Sequence, residues 1–128
     1  LAVRRDMENP LYRIRYAHAR IGSLLSSAAP SAAAADLSCL TQPEETALTR
    51  TLARLPEELE LVTARRDPAR IPLFLSDAAA AFYAFYNACP LRGAPEPEAA
   101  ARRRLAACTR DILARGLAII AVDASPRK

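Results

Sequence analysis

The sequence predicts an all-α domain, a bundle of about five helices. Three observations carry that expectation. Ala and Arg dominate, with 29 and 17 of 128 residues, and both favour helix, whereas Gly occurs only three times. A proline or capping signal stands ahead of each apolar-periodic segment. At 52% hydrophobic residues the chain is too apolar for disorder, and it lacks the closely spaced turns of a strand-rich barrel. Its length suits a single domain over residues 1–128, large enough to bury a core.

Asn9-Pro10 opens the first helix, with Asn as N-cap and Pro at the first helical position, and the helix is expected to run to about Ala28. Pro30 and the Ser/Ala-rich stretch to Ala35 end it. Thr41-Gln42-Pro43-Glu44 has capping-box spacing and starts a second helix through about Leu55. Pro56 begins a third, acidic at its start (Glu57, Glu58, Glu60) and basic at its end (Arg65, Arg66), which suits the helix dipole. Asp67-Pro68 caps a fourth, from about Ala69 to Ala88. The segment from Pro90 to Pro95 reads as a loop. A fifth helix spans about Glu96 to Arg115, with Gly116 as its C-cap and an apolar tail, Leu117–Val122, packing back on the bundle.

Several classes of function fall at once. Uncharged stretches such as Ile21–Ala35 and Ala78–Leu91 are too short and too broken to span a bilayer, and no basic start followed by an apolar run and a cleavage site reads as a secretory signal in these residues. Cys39, Cys89 and Cys108 lack Cys-x-x-Cys spacing, and with one His (His18) they supply no dedicated zinc site; reduced thiols in a cytoplasmic protein are the expectation. The three glycines are isolated, so no phosphate-cradling loop exists, and one His without a neighbouring nucleophile builds no hydrolytic triad. The segment by itself is therefore expected to be non-catalytic. Leu1 in place of Met is what a piece of a longer chain would carry.

The net charge of +4 is unevenly placed. Residues 1–20 carry five Arg against Asp6 and Glu8; residues 90–128 carry eight basic and four acidic groups; residues 41–61 carry two Arg against five Glu. The positive charge thus sits on the first and last helices. The amount of Arg is what a GC-rich coding sequence produces, so its placement is the informative part.

On a helical wheel, Leu11, Ile14, Ala17, Ile21, Leu24, Leu25 and Ala28 share one face of the first helix. Tyr12, Tyr16 and Ser23 fall opposite, with Arg13 and Arg20 beside them. Such tyrosines either pack on another helix or stack on unpaired bases while Arg contacts phosphate. On the fourth helix Ile71, Phe74, Leu75, Ala78, Phe82, Phe85 and Cys89 form a core stripe. Tyr83 and Asn87 point elsewhere and Tyr86 sits at its margin. Asn87 either reads a base through its amide or caps the helix. On the fifth helix Ala101, Leu105, Cys108 and Ile112 face inward, and Arg103 and Arg110 lie opposite. His18, at the edge of the apolar face, reads as a hydrogen-bonded structural group.

Asn9-Pro10, Tyr16-Ala17-His18-Ala19-Arg20, Leu37-Ser38-Cys39-Leu40, Arg65-Arg66-Asp67-Pro68-Ala69-Arg70, Phe85-Tyr86-Asn87-Ala88-Cys89 and Gly116-Leu117-Ala118-Ile119-Ile120 occur in this order. In order and spacing they resemble the C-terminal anticodon-binding (DALR) domain of arginyl-tRNA synthetases, over the whole chain from about residue 4. The resemblance implies a helical bundle of the class I aminoacyl-tRNA synthetase anticodon-binding type, acting in translation in the cytoplasm. It implies as partners the anticodon stem-loop of arginine tRNA and the catalytic domain of a parent ligase, with ATP used there and no cofactor or metal in this segment. Arginine anticodons share a central C, which such a domain pairs with polar groups and stacks on an aromatic wall. The residues this places at the RNA are Tyr12, Arg13, Tyr16, Arg20, Tyr86 and Asn87. Arg13 and Arg15 stand where the family often has an aromatic and Gln; Pro90-Leu91 replaces a basic-Val pair; and the chain ends Ser125-Pro126-Arg127-Lys128 rather than Pro-Glu-Arg-Met. A freestanding helical module of the same type, binding RNA or protein without aminoacylation, is the alternative expectation.

Overall fold

The computed structural model describes residues 10–27, 36–91 and 93–124. Five α-helices appear there: α1 (Pro10–Ser27), α2 (Pro43–Leu52), α3 (Leu55–Arg65), α4 (Arg70–Ala88) and α5 (Glu96–Ala124), with a 3-10 turn at Leu37–Cys39. No strand occurs among the described residues, so the expected all-α class holds. The proposed caps at Asn9 and the expected end at Ala28 lie outside the described residues.

α4 is the central helix and packs against α1, α2, α3 and α5. Its stripe was legible from spacing: Phe74, Leu75, Ala78, Phe82, Phe85 and Cys89 are buried, and Ile71 packs partly exposed at the rim. α1 contributes Ile14, Ala17 and Ile21, all fully buried, and lies on both α4 and α5. The two basic helices are therefore neighbours.

Three sequence expectations need correction. First, the capping box at the start of α2 is shifted by one residue. Pro43 occupies the first helical position, where it forfeits no hydrogen bond, so Gln42 is the N-cap and Glu45 the third helical residue. The Glu45 carboxylate accepts the Gln42 backbone N–H at 2.9 Å, a role the sequence reading gave to Glu44.

Second, Gly116 is not a C-cap. α5 continues through it to Ala124, and Leu117–Val122 belongs to this helix rather than to a tail folded back on the bundle. Gly116 is buried against α4: a Cβ there would meet the Leu75 side chain, with Cγ at 2.9 Å and the methyl groups closer still. Its missing side chain lets two helices approach; it does not stop one.

Third, the buried arc of α5 is wider than the expected stripe and displaced from it. Ala101 and Leu105 are buried as expected, but Cys108 and Ile112 are only half-buried, and Ala99, Ala100, Ala106, Thr109 and Leu113 complete the arc. A helix that touches α1, α2 and α4 together has to bury more than one narrow line of side chains. The Thr109 hydroxyl is satisfied by donating to the Leu105 carbonyl at 2.9 Å.

Among the described residues, charge enters the core at one place. Glu45 is 1% exposed, and its carboxylate lies 2.6 Å from Arg102 Nε. The same guanidinium donates to the Pro90 carbonyl at 2.8 Å. α2, α5 and the chain leaving α4 are thereby tied at one point. Around the outside, Glu58 receives Arg54 and Arg70, each at 3.0 Å, and Arg54 also reaches Asp77 at 3.2 Å, joining α3 to α4.

Replacing Arg102 with Met leaves the Glu45 carboxylate buried without its partner and is expected to cost about 3–5 kcal/mol, read from urea midpoints. Exchanging Glu45 for an apolar side chain in the same chain should recover much of that loss. Gly116→Ala forces a methyl group into the buried Leu75 side chain and should cost about 1–3 kcal/mol.

Candidate nucleic-acid interface

The polar face of α1 does not stand alone in solvent. It forms one wall of a groove of about 720 Å³ whose other wall is α4. Tyr12, Arg13 and Tyr16 come from α1; Ser76, Ala79, Ala80 and Tyr83 come from α4. The helices run in the same direction along it, since Arg13 meets Ser76, Tyr16 meets Tyr83, and Arg20 meets Tyr86. The alanines of α4 make the groove. Where that helix carries methyl groups, the surface is hollow, and the larger α1 side chains rise beside it.

The aromatic rings form a connected series. Tyr12 and Tyr16 stack at 6.3 Å between centroids; Tyr16 faces Tyr83 at 6.4 Å; Tyr83 meets the edge of Phe82 at 5.9 Å; Phe82 stacks on Tyr86 at 6.1 Å and 15°. Phe82 is fully buried, so the series is anchored in the core while Tyr12 and Tyr16 remain 40% and 51% exposed. Tyr86, stacked on buried Phe82, loses little further freedom when a flat partner arrives.

Positive charge frames the rings. Arg13 Nη2 donates to Ser76 Oγ at 3.2 Å across the groove. The Arg20 guanidinium lies 5.7 Å from the Tyr86 ring centroid, in cation–π range. Tyr86 first and Tyr16 second hold the Arg20 guanidinium in its charged form, raising its pKa. Burial, reinforced by Tyr16, pushes the Tyr83 phenol above its usual value, with Arg20 opposing.

The six residues singled out by sequence therefore divide. Tyr12, Arg13 and Tyr16 line the groove; Arg20 and Tyr86 pair beyond it along the same helix–helix seam. Asn87, adjacent to Tyr86, is exposed, and among the described residues it forms no capping bond; α4 closes instead through the Cys89 N–H on the Phe85 carbonyl at 2.8 Å. The reading that the tyrosines pack on another helix is half realised: Tyr16 touches α4, yet both α1 rings stay open to solvent. Sequence reasoning passed over Tyr83. It lies one turn before Asn87 on the off-core side of α4, which was the available signal. On α5, Arg103 is engaged by Glu96 at 2.8 Å.

Cys39 and Cys108 are half-buried and Cys89 is buried, its thiol pushed up chiefly by that burial. Among the described residues no group of three His, Cys, Asp or Glu side chains is placed to hold a metal ion. Among them also, no helix is long and apolar enough to cross a membrane.

Comparison with known proteins places this geometry in a family. The family model of the DALR anticodon binding domain matches residues 14–127. The chain is 42% identical over 130 residues to the arginine–tRNA ligase of Bordetella petrii, covering 99% of this chain and 23% of that protein. It is 38% identical over 133 residues to the arginine–tRNA ligase of Ruminiclostridium cellulolyticum, covering 99% of this chain and 24% of that protein. The arginine–tRNA ligase of Salinibacter ruber is likewise 38% identical, over 132 residues, covering all of this chain and 23% of that protein. The chain thus spans about a quarter of the length of the curated relatives it matches. No solved structure matches it. The motifs along α1 and α4 and the helical architecture agree with this result: the chain belongs to the DALR anticodon-binding domain family.

Proposed function

We propose that this chain is the anticodon-binding domain of an arginine–tRNA ligase, gripping the anticodon loop of arginine tRNA while ATP-dependent aminoacylation takes place in other parts of a longer cytoplasmic protein. Extended similarity to arginine–tRNA ligases supports the parent activity. The observation that carries the RNA reading is the α1–α4 seam, where exposed tyrosines and arginines alternate along one line.

Unpaired bases of a loop offer flat faces and polar edges, and the surrounding phosphates offer negative charge. Tyr12 and Tyr16 present ring faces that can stack on bases. Arg13 and Arg20 flank them, one at each end of the Tyr16–Tyr83 contact, with guanidiniums able to meet phosphates. Tyr86 and Asn87 lie at the end of α4, where an aromatic wall and an amide edge meet a central C. No cofactor or metal is required for this binding. Arg13, occupying a position that often carries an aromatic ring in the family, shifts the balance towards phosphate contact and makes affinity steeply dependent on salt.

Tyr16→Ala is expected to weaken binding to an arginine-tRNA anticodon stem-loop by about 1–3 kcal/mol, measured by fluorescence anisotropy at fixed salt. Arg20→Ala should reduce the slope of log affinity against log salt by about one, if its guanidinium sits on a phosphate. A stem-loop lacking the central C should bind more weakly than the cognate one. Equal affinity for both would leave only a helical module that binds RNA without reading the anticodon.

A further inference from the structure

A residue that lines the groove carries a buried polar atom that is unpartnered among the described residues. The Tyr83 hydroxyl is buried from solvent and, among the described residues, has no hydrogen-bond partner. A buried hydroxyl without a partner forfeits the bond it had in water, and such groups are rare enough in native proteins to need a reason. Its surroundings supply one. Tyr83 is a wall of the groove, its ring lies 6.4 Å from that of Tyr16, and the Tyr16 ring is itself half-exposed.

We propose that Tyr83 reads the edge of an unpaired base: its hydroxyl donates to a carbonyl oxygen on a base that enters the groove and displaces the Tyr16 ring from it. This rests on the RNA-binding reading above and adds a specificity-determining residue to it. A carbonyl acceptor fits better than a donor. The Arg13 and Arg20 guanidiniums near the two ends of the groove add positive potential, which favours an acceptor edge over an amino group. Guanine, uracil and cytosine carry such an oxygen; adenine has none. Tyr16 then has two positions: against Tyr83 in the free protein, and stacked on the base in the complex, with Tyr12 at 6.3 Å extending the platform.

The test uses the chain with Tyr83→Phe, which removes one oxygen and keeps the ring. Thermal unfolding of the free variant should be unchanged or shifted upward, because an unsatisfied group has been removed. Binding to the arginine anticodon stem-loop should weaken about 3- to 10-fold. Each loop position is then replaced in turn by adenine. At one position adenine should weaken the unmutated protein but cost the Tyr83→Phe variant little, the signature of a shared contact. The inference is overturned if the variant binds the cognate loop as tightly as the unmutated protein. It is also overturned if the variant loses affinity equally on every loop, or if its melting temperature falls, since each result makes the hydroxyl structural. Failure of the unmutated protein to bind any of the stem-loops would overturn the RNA-binding reading itself. The two failures are therefore distinguishable.

Discussion

A single buried ion pair fixes the geometry on which the rest of this domain depends. Glu45 has almost no exposed surface, so its charge is tolerable only with Arg102 at 2.6 Å and the Gln42 N–H at 2.9 Å on its oxygens. Arg102 also donates to the carbonyl of Pro90, just beyond the end of α4. One carboxylate therefore caps α2, anchors α5 and, through Arg102, sets where α4 must finish. Apolar packing alone slides easily along a helix, and alanine-rich packing most of all, because methyl groups make shallow knobs. A charged pair with three directional bonds does not slide. In this bundle it supplies the register that the alanines cannot.

That register matters because the candidate site is a seam and not a cavity. The α1 and α4 side chains meet residue by residue, from Arg13 and Ser76 to Arg20 and Tyr86. A shift of α4 by one residue would turn each ring by about 100° and break the series from Tyr12 to Tyr86. Phe82 ties the two scales together. It is wholly inside the core, yet it stacks on Tyr86 and meets Tyr83 edge-on, so the rings facing solvent are positioned by a ring that never meets it. Gly116 serves the same end from the far side of α4, letting α5 approach Leu75 closely.

Much of this was legible in the sequence, and what was not has identifiable physical causes. The apolar faces of α1 and α4 follow the helical period, and most of their buried residues were readable from spacing, though buried Ala79 lay outside the expected stripe. Family motifs on those helices identified the family. Glu45 was missed because its partner lies 57 residues away and its local neighbour Glu44 offered an equally good capping spacing. Gly116 was misread because a glycine near an expected helix end has two uses, and only the nearness of Leu75 decides between them. The wheel set Tyr83 off the core stripe, yet its ring packs against the core and its hydroxyl is buried, and spacing could not show that Tyr16 would lie against it. Interactions between helices, not within them, are what one sequence hides.

Entry of unpaired RNA bases into the α1–α4 seam is tested most directly by nuclear Overhauser contacts between tyrosine ring protons and the bases of a bound arginine anticodon stem-loop. Contacts are expected from Tyr16 and Tyr86 to loop bases, with none from the apolar hollow formed by Val62, Ile71 and Ile119. Base contacts confined to α5 or to that hollow, with the ring signals of Tyr16 and Tyr86 unmoved, would contradict it.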